Sequence, residues 1–206
     1  MLEKIFLLDA DYILEKGETK IRLWGKSFDG KSAVLFFSPL PYFFVLPKDV
    51  KEAKKDIQEI LEKERIKIER IEETKMKLFG KETDFLKIFC QKPADTQNAR
   101  DKIKVLEEKR GGKGSVIEEY EYAINFYRKF LIDNRIDGCC WVEVEGENAK
   151  TNYDVDLAIE GKKIRVLEEM TIPEIDVLAF DMETVEKGGE KEIVMASFYG
   201  KDFKKV

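Results

Sequence analysis

From Pro41 onward two hydrophobic periods alternate in a fixed order, and that order restricts the possible folds more than any other feature of the chain. The run PYFFVL, beginning at Pro41, has the aromatic and β-branched content of a strand. PKDVKEAKKDIQEILEKE then switches to helical spacing, with Val50, Ala53, Ile57, Ile60 and Leu61 on one face and Asp49 placed as an N-cap. Strand alternation returns in IKIERIEETKMKLFG and, across a turn at Gly80-Lys81, in TDFLKIFCQ. A second helix fits DTQNARDKIKVLEEKR, with Asp95 as N-cap after Pro93 and Gly111-Gly112 as the stop, and SVIEEYEY closes the series as a strand.

Strand, helix, strand, strand, helix, strand is the split β-α-β order of ferredoxin-like domains, which RNA-recognition modules share. Upstream, KIFLLDADYIL and TKIRLWGKSF flank an EKGE turn, and SAVLFF follows the hairpin signal Asp29-Gly30, so residues before Pro41 read as a β-meander. Downstream, INFYRKFLIDNRI is a third helical piece. DGCCWVEVEGE and YDVDLAIEGKKIRVLEEM follow as short β-segments, and DVLAFDMETV and IVMASFYG form a last hairpin around EKGGEKE. The fold class expected is α+β.

Composition excludes several chemistries. The 206 residues contain no histidine, which removes Ser–His and Cys–His nucleophile pairs and every histidine-ligated metal. Cys90, Cys139 and Cys140 are an odd set without CxxC spacing, so they read as reduced, buried or half-buried residues instead of a disulfide framework or a zinc site. No apolar run is long enough to span a membrane and MLEKIFLLDADY lacks the character of a signal peptide, so a cytoplasmic protein without a membrane partner is expected. Charged residues make up 38% of the chain, mostly Lys and Glu, in the ion-pair style of heat-loving organisms. The net charge of −5 argues against a nonspecific nucleic-acid coat, yet leaves room for a local basic groove.

Within DVLAFDMETV, Asp181 and Glu183 fall two residues apart and therefore on one side of a strand, about 6.6 Å from each other along the backbone. Leu178, Phe180 and Met182 take the other side and are expected to pack inward. Paired same-side carboxylates suit a hard cation, Mg²⁺ or Mn²⁺, and can serve in-line hydrolysis of a phosphodiester. A solvated acidic face in a Glu-rich chain accounts for the bare D-x-E pattern equally well.

LAFDMET resembles the first exonuclease motif of archaeal family B DNA polymerases, usually LAFDIET. The resemblance runs through the chain in order. DADYILEKGETKIRLWGK is similar to the opening hairpin of that family, PLPYFFVLPKD to its aromatic strand, KLFGKETDFLKIFCQKPAD to its central hairpin, and EYEYAINFYRKFLIDNRI to the helix leading into its exonuclease domain. The resemblance implies residues 1–134 as a template-strand and uracil-recognition domain. Residues 135–206 become a β-rich connection and the incomplete start, a first β-hairpin, of a ribonuclease H-like 3′→5′ exonuclease domain. Asp181 and Glu183 are then catalytic metal ligands for Mg²⁺ or Mn²⁺ in the complete enzyme. The implied partners are single-stranded template DNA, the primer 3′ end, the remainder of the polymerase chain and, through that remainder, a sliding clamp. The family's other exonuclease aspartates and its polymerase palm are not in this sequence, so the chain is expected to be an excised piece or one part of a split enzyme, inactive alone. Two other classes stay open: a stand-alone single-stranded nucleic-acid-binding module with an RNA-recognition-like fold, and a structural subunit.

The archaeal branch also captures template uracil. By resemblance the capturing residues are Tyr12, Pro41, Tyr42, Pro93, Asp95, Thr96, Ile124, Phe126 and Lys129. Uracil lacks the thymine methyl, and a tight pocket can reject one methyl by roughly 1–3 kcal/mol. Tyr42 and Phe126 would wall in a splayed base and Lys129 would meet a phosphate. Thr96 stands where Val is usual, Lys129 where Arg is usual, and Ala94 and Asn125 also depart from the commonest forms. The same aromatics can instead be core filling, with Pro41 and Pro93 as element boundaries. KRGGKGS (109–115) lacks the phosphate-loop pattern and follows a helix, so it reads as a helix stop and turn.

Overall fold

The computed structural model describes residues 1–15, 17–109, 111, 114–168, 171–202 and 204–205. It divides into two compact units, Met1–Met170 and Thr171–Val206.

The first unit opens with the meander, β1 (Leu2–Glu15), β2 (Glu18–Ser27) and β3 (Ser32–Phe37), paired antiparallel in sequence. The meander does not end there. β8 (Trp141–Asn148) pairs with β1, β9 (Leu157–Val166) pairs with β8, and β9 returns parallel to β3, which closes a five-stranded barrel. Strict alternation in β2 sends Ile21 and Leu23 into the barrel, where they meet Ile5, Leu7, Leu35, Val142, Val144 and Ile159. The α3 helix (Phe126–Asp133) adds Phe126 and Phe130 to this core. On the outside Arg22 forks onto Asp11, with Nε at 2.7 Å and Nη2 at 2.5 Å from its two oxygens. Gly25 lies opposite Leu7 beside a β1 bulge; a Cβ there would sit 2.3 Å from the Phe6 carbonyl oxygen, so this close strand approach requires glycine.

The second half of this unit is the split β-α-β sheet expected from the element order. β4 (Tyr42–Pro47), α1 (Val50–Lys63), β5 (Ile68–Leu78), β6 (Lys81–Cys90), α2 (Pro93–Lys109) and β7 (Val116–Tyr120) give the antiparallel strand order β5-β6-β4-β7. Ala53, Ile57 and Leu61 of α1 and Ala99 and Ile103 of α2 bury against Phe43, Val45, Leu86 and Ile88 of one sheet face. Asp49 caps α1 by accepting the Glu52 N–H at 2.9 Å. Asp95 is not a cap: α2 begins at Pro93, whose fixed φ suits the first helical position, so Asp95 falls in the first turn. Of the KRGGKGS stretch, Arg110, Gly112 and Lys113 lie outside the described residues; Gly111 adopts φ 61° just past α2 and donates to the Glu108 carbonyl.

The second unit holds β10 (Ala179–Lys187), β11 (Glu190–Tyr199) and β12 (Lys204–Lys205) in sequential antiparallel order. β10 does not pack inward here. Phe180 is 64% exposed, Leu178 54% and Met182 49%, because a hairpin with one short third strand has no layer to cover either side. β8 and β9, which follow residue 134, complete the barrel of the first unit.

Candidate nucleic-acid interface

Where the barrel meets the split sheet, four chain segments converge on one cavity of about 230 Å³. β1 contributes Tyr12, the entry to β4 contributes Pro41 and Tyr42, the start of α2 contributes Pro93 and Thr96, and the β7–α3 passage with α3 contributes Ile124, Phe126 and Lys129. These are eight of the nine residues singled out above; Asp95, one position from Thr96, is not in the lining. Ala94, Gln97, Glu121, Tyr122, Ala123 and Asn125 complete the wall. The volume is below the roughly 300–1,000 Å³ of drug-sized pockets and matches a single small ring system.

Several wall residues are held by specific contacts. The Tyr12 and Phe126 rings meet edge to face, centroids 5.7 Å apart. Tyr12 is 43% exposed and Ile124 37%, so neither is core filling, whereas Phe126 serves both the barrel core and the cavity. The Tyr42 hydroxyl lies 2.7 Å from both oxygens of Asp133. Burial of the ring and the Asp133 carboxylate push this phenol well above its usual range. Thr96 donates its hydroxyl to the Pro93 carbonyl at 2.7 Å, a local bond inside the first helical turn. The hydroxyl that distinguishes it from valine is thus engaged by its own backbone.

Lys129 departs from its expected part. It is 5% exposed, and its Nζ lies 2.5 Å from Glu121 Oε2 and 3.9 Å from the Tyr42 ring centre. Burial lowers its pKa, partly offset by Glu121 and Asp133. Glu121 holds its side of the pair from a left-handed backbone, φ 62°, which is uncommon outside glycine. A lysine already neutralised inside the wall is poorly placed as a phosphate clamp.

A second basic group beside the cavity, not among the residues singled out from sequence, is Lys87 on β6. Its Nζ sits 3.7 Å from the Tyr42 ring centre and 4.8 Å from that of Phe89. Register places it with Tyr42, Phe44 and Phe89 on the sheet face away from α1 and α2. The alternating pattern of TDFLKIFC contained that placement, but the sequence did not say that the face continues into the cavity.

Asp181 and Glu183 occupy alternate positions of β10, opposite Ser197 and Met195. Both are exposed, and Asp181 Oδ1 accepts the Met182 N–H at 2.9 Å. Their oxygens suit a hard cation, but two ligands are an incomplete set. Among the described residues no group of three or more Asp, Glu, Cys or His side chains converges as a metal site. Cys90, Cys139 and Cys140 are free thiols; Cys139 is exposed, not half-buried. No helix among the described residues is long and apolar enough to cross a membrane.

Comparison with known proteins bears on both regions. Residues 117–205 match the family model for the exonuclease domain of family B DNA polymerases. A DNA polymerase of Thermococcus sp. (strain 9oN-7) is 25% identical over 206 residues, covering 88% of this chain and 25% of the relative. That of Desulfurococcus sp. (strain Tok) is 28% identical over 200 residues, covering 93% and 21%. The solved family B DNA polymerase of the hyperthermophilic archaeon Pyrobaculum calidifontis superposes with a TM-score of 0.80 at 25% identity, covering 98% of this chain and 26% of that one. The chain therefore spans about a quarter of the length of these relatives. In exonuclease-domain match, in sequence along nearly its whole length and in fold, the chain is similar to the N-terminal and exonuclease region of archaeal family B DNA polymerases.

Proposed function

We propose that this chain acts in DNA replication as the part of a proofreading polymerase that handles single-stranded template. Residues 1–134 contact the strand, and residues 135–206 lead into the exonuclease domain. The observation that carries this reading is the convergence of eight residues implied by the family resemblance, from four segments, on one small cavity. A base splayed from a single strand enters between the Tyr42 and Phe126 sides, and the walls accept uracil but exclude the thymine methyl. Exclusion by shape needs walls that do not yield. The bonds Tyr42–Asp133 and Lys129–Glu121 supply that stiffness.

Asp181 and Glu183 would contribute two oxygen ligands to Mg²⁺ or Mn²⁺ in the complete enzyme, the remainder of the polymerase supplying the rest. The bound ion supplies charge stabilisation at a phosphodiester undergoing hydrolysis. The two carboxylates of this chain hold and orient it from one side of β10. DNA, the remaining polymerase chain and a sliding clamp engaged through that remainder are the proposed partners, in a cytoplasmic setting.

The test is binding of single-stranded DNA carrying one deoxyuracil against the same strand with thymidine. Tighter binding of the uracil strand is expected, and Tyr42→Ala is expected to erase the difference while the chain remains folded by circular dichroism. Equal affinities for the two strands in the unaltered protein would remove uracil capture.

A further inference from the structure

The pocket has a cationic neighbour that its own lining does not include. On the sheet face away from α1 and α2, Tyr42, Phe44, Phe85, Phe89 and Tyr120 form a continuous aromatic plate, with neighbouring ring centres 5.3–6.3 Å apart; Phe44, Phe85 and Phe89 are themselves buried in it. Three cations lie on this plate, and their situations differ. Arg70 stacks over Phe89 at 3.8 Å and is spoken for by Glu72, 2.5 Å from its Nε. Lys129 is buried and bound to Glu121. Lys87 is half-buried and rests on the Tyr42 and Phe89 rings, and no carboxylate pairs with it among the described residues. Its cross-strand neighbour is Glu72, whose carboxylate Arg70 already holds.

Two ammonium groups within 4 Å of one ring centre repel each other across it. Glu121 offsets one of them, and Asp133 accepts the Tyr42 hydroxyl. The remaining positive charge sits at Lys87, next to the wall residue that faces an incoming base. Resting on aromatic faces restricts the lysine stem without consuming its three donors, so less entropy is lost when an anion arrives.

We infer that Lys87 is a phosphate-binding residue: it meets a backbone phosphodiester of the single strand whose base enters the adjacent cavity, while Lys129 positions Tyr42 and touches no phosphate. This assignment rests on the reading of the cavity as a base pocket. It extends the contact surface from the cavity to the half-buried Lys87 beside it.

The experiment is fluorescence anisotropy of the full 206-residue chain with labelled single-stranded DNA, in deoxyuracil and thymidine versions, over a range of salt. Each phosphate contact on a single strand contributes about 0.7 to the slope of log K against log salt. Lys87→Gln is expected to lower the slope by about that amount and to weaken both strands by a similar factor, leaving the uracil-to-thymine ratio unchanged. Lys87→Arg is expected to restore the slope. Lys129→Gln is expected to lower the thermal midpoint with the slope intact. An unchanged slope in Lys87→Gln, or a loss of slope in Lys129→Gln instead, overturns the assignment. Equal binding of the two strands with a Lys87-dependent slope would refute base capture alone, and no binding of either strand would refute both.

Discussion

Replacing Tyr42 by Phe keeps the ring that Lys87 and Lys129 rest on and removes the hydroxyl that meets Asp133. At pH 8 the lost hydrogen bond to a partly solvated carboxylate should cost about 1 kcal/mol. The pH dependence has a definite sign. Burial first, then Asp133 and Glu121, raise the Tyr42 pKa above the usual value near 10. The folded protein therefore retains a proton that the unfolded chain loses, and the stabilisation is complete below pH 10 and declines as pH rises above it. One group contributes at most about 1.36 kcal/mol per pH unit, so between pH 10 and 11.5 the wild type should lose roughly 1.6 kcal/mol relative to Tyr42→Phe. Solvent screening at this half-exposed site reduces that to about 1 kcal/mol. Urea melts of both proteins at pH 8, 10 and 11.5 measure it, and the gap present at pH 8 should close by pH 11.5. Lys129, whose pKa is lowered, gains stability toward alkaline pH, but it does so in both proteins and cancels in the difference. Phenolate absorbance offers a direct check, since Tyr42 should ionise at higher pH in the folded protein than in the unfolded chain. Free energies of the two proteins that run parallel from pH 8 to 11.5 would refute the reasoning.

Two further substitutions separate scaffold from chemistry. Gly25→Ala places a methyl 2.3 Å from the Phe6 carbonyl oxygen and 2.6 Å from Ile5 Cγ2, where the β1–β2 ladder leaves no slack. It should destabilise the barrel by about 1–3 kcal/mol, and an unshifted urea midpoint would contradict that close approach. Asp181→Asn combined with Glu183→Gln should leave the thermal midpoint unchanged, because both side chains are exposed on β10. Mn²⁺ line broadening of the β10 amides should disappear in the same variant; equal broadening in both proteins would show that the pair holds no ion.

The split sheet was readable because its signals are local: a glycine turn, expected at Gly80-Lys81 and formed one residue earlier at Phe79-Gly80 with φ of 47° and 81°, and two amphipathic helices between alternating strands. Barrel closure was not. Ala33 pairs with Leu157 across more than a hundred residues, and no periodicity within SAVLFF names its parallel neighbour. The first unit's strands were consequently assigned to a meander and to a separate downstream segment. LAFDMET has the composition of an inward-packed strand, yet its apolar side chains are exposed in the second unit, because burial depends on a covering layer that a local pattern does not supply. The cavity residues were found only through family resemblance. Tyr12, Tyr42, Thr96 and Lys129 share no local pattern, and only the packing of barrel against sheet brings them together. Lys129 shows what such a transfer misses, since a residue type consistent with phosphate binding turned out to be buried against Glu121.

That location at a seam bears on how a small pocket could separate two bases that differ by one methyl. A wall made from a single element can shift as a unit, and an overlap of a few tenths of an ångström would then be relieved at little cost. Here three walls are tied across elements: Tyr12 of β1 to Phe126 of α3 and through it to the barrel core, Tyr42 of β4 to Asp133 of α3, and Lys129 of α3 to Glu121 just after β7. Displacing one wall to admit a methyl must strain a packed ring or a charge-assisted hydrogen bond. Packed interiors resist extra volume at about 1–3 kcal/mol per overfilled site, the same range that discrimination of one methyl requires. Under the proposed reading of the cavity as a base pocket, the stiffness of the seam, more than any one contact with the base, is what selectivity would depend on.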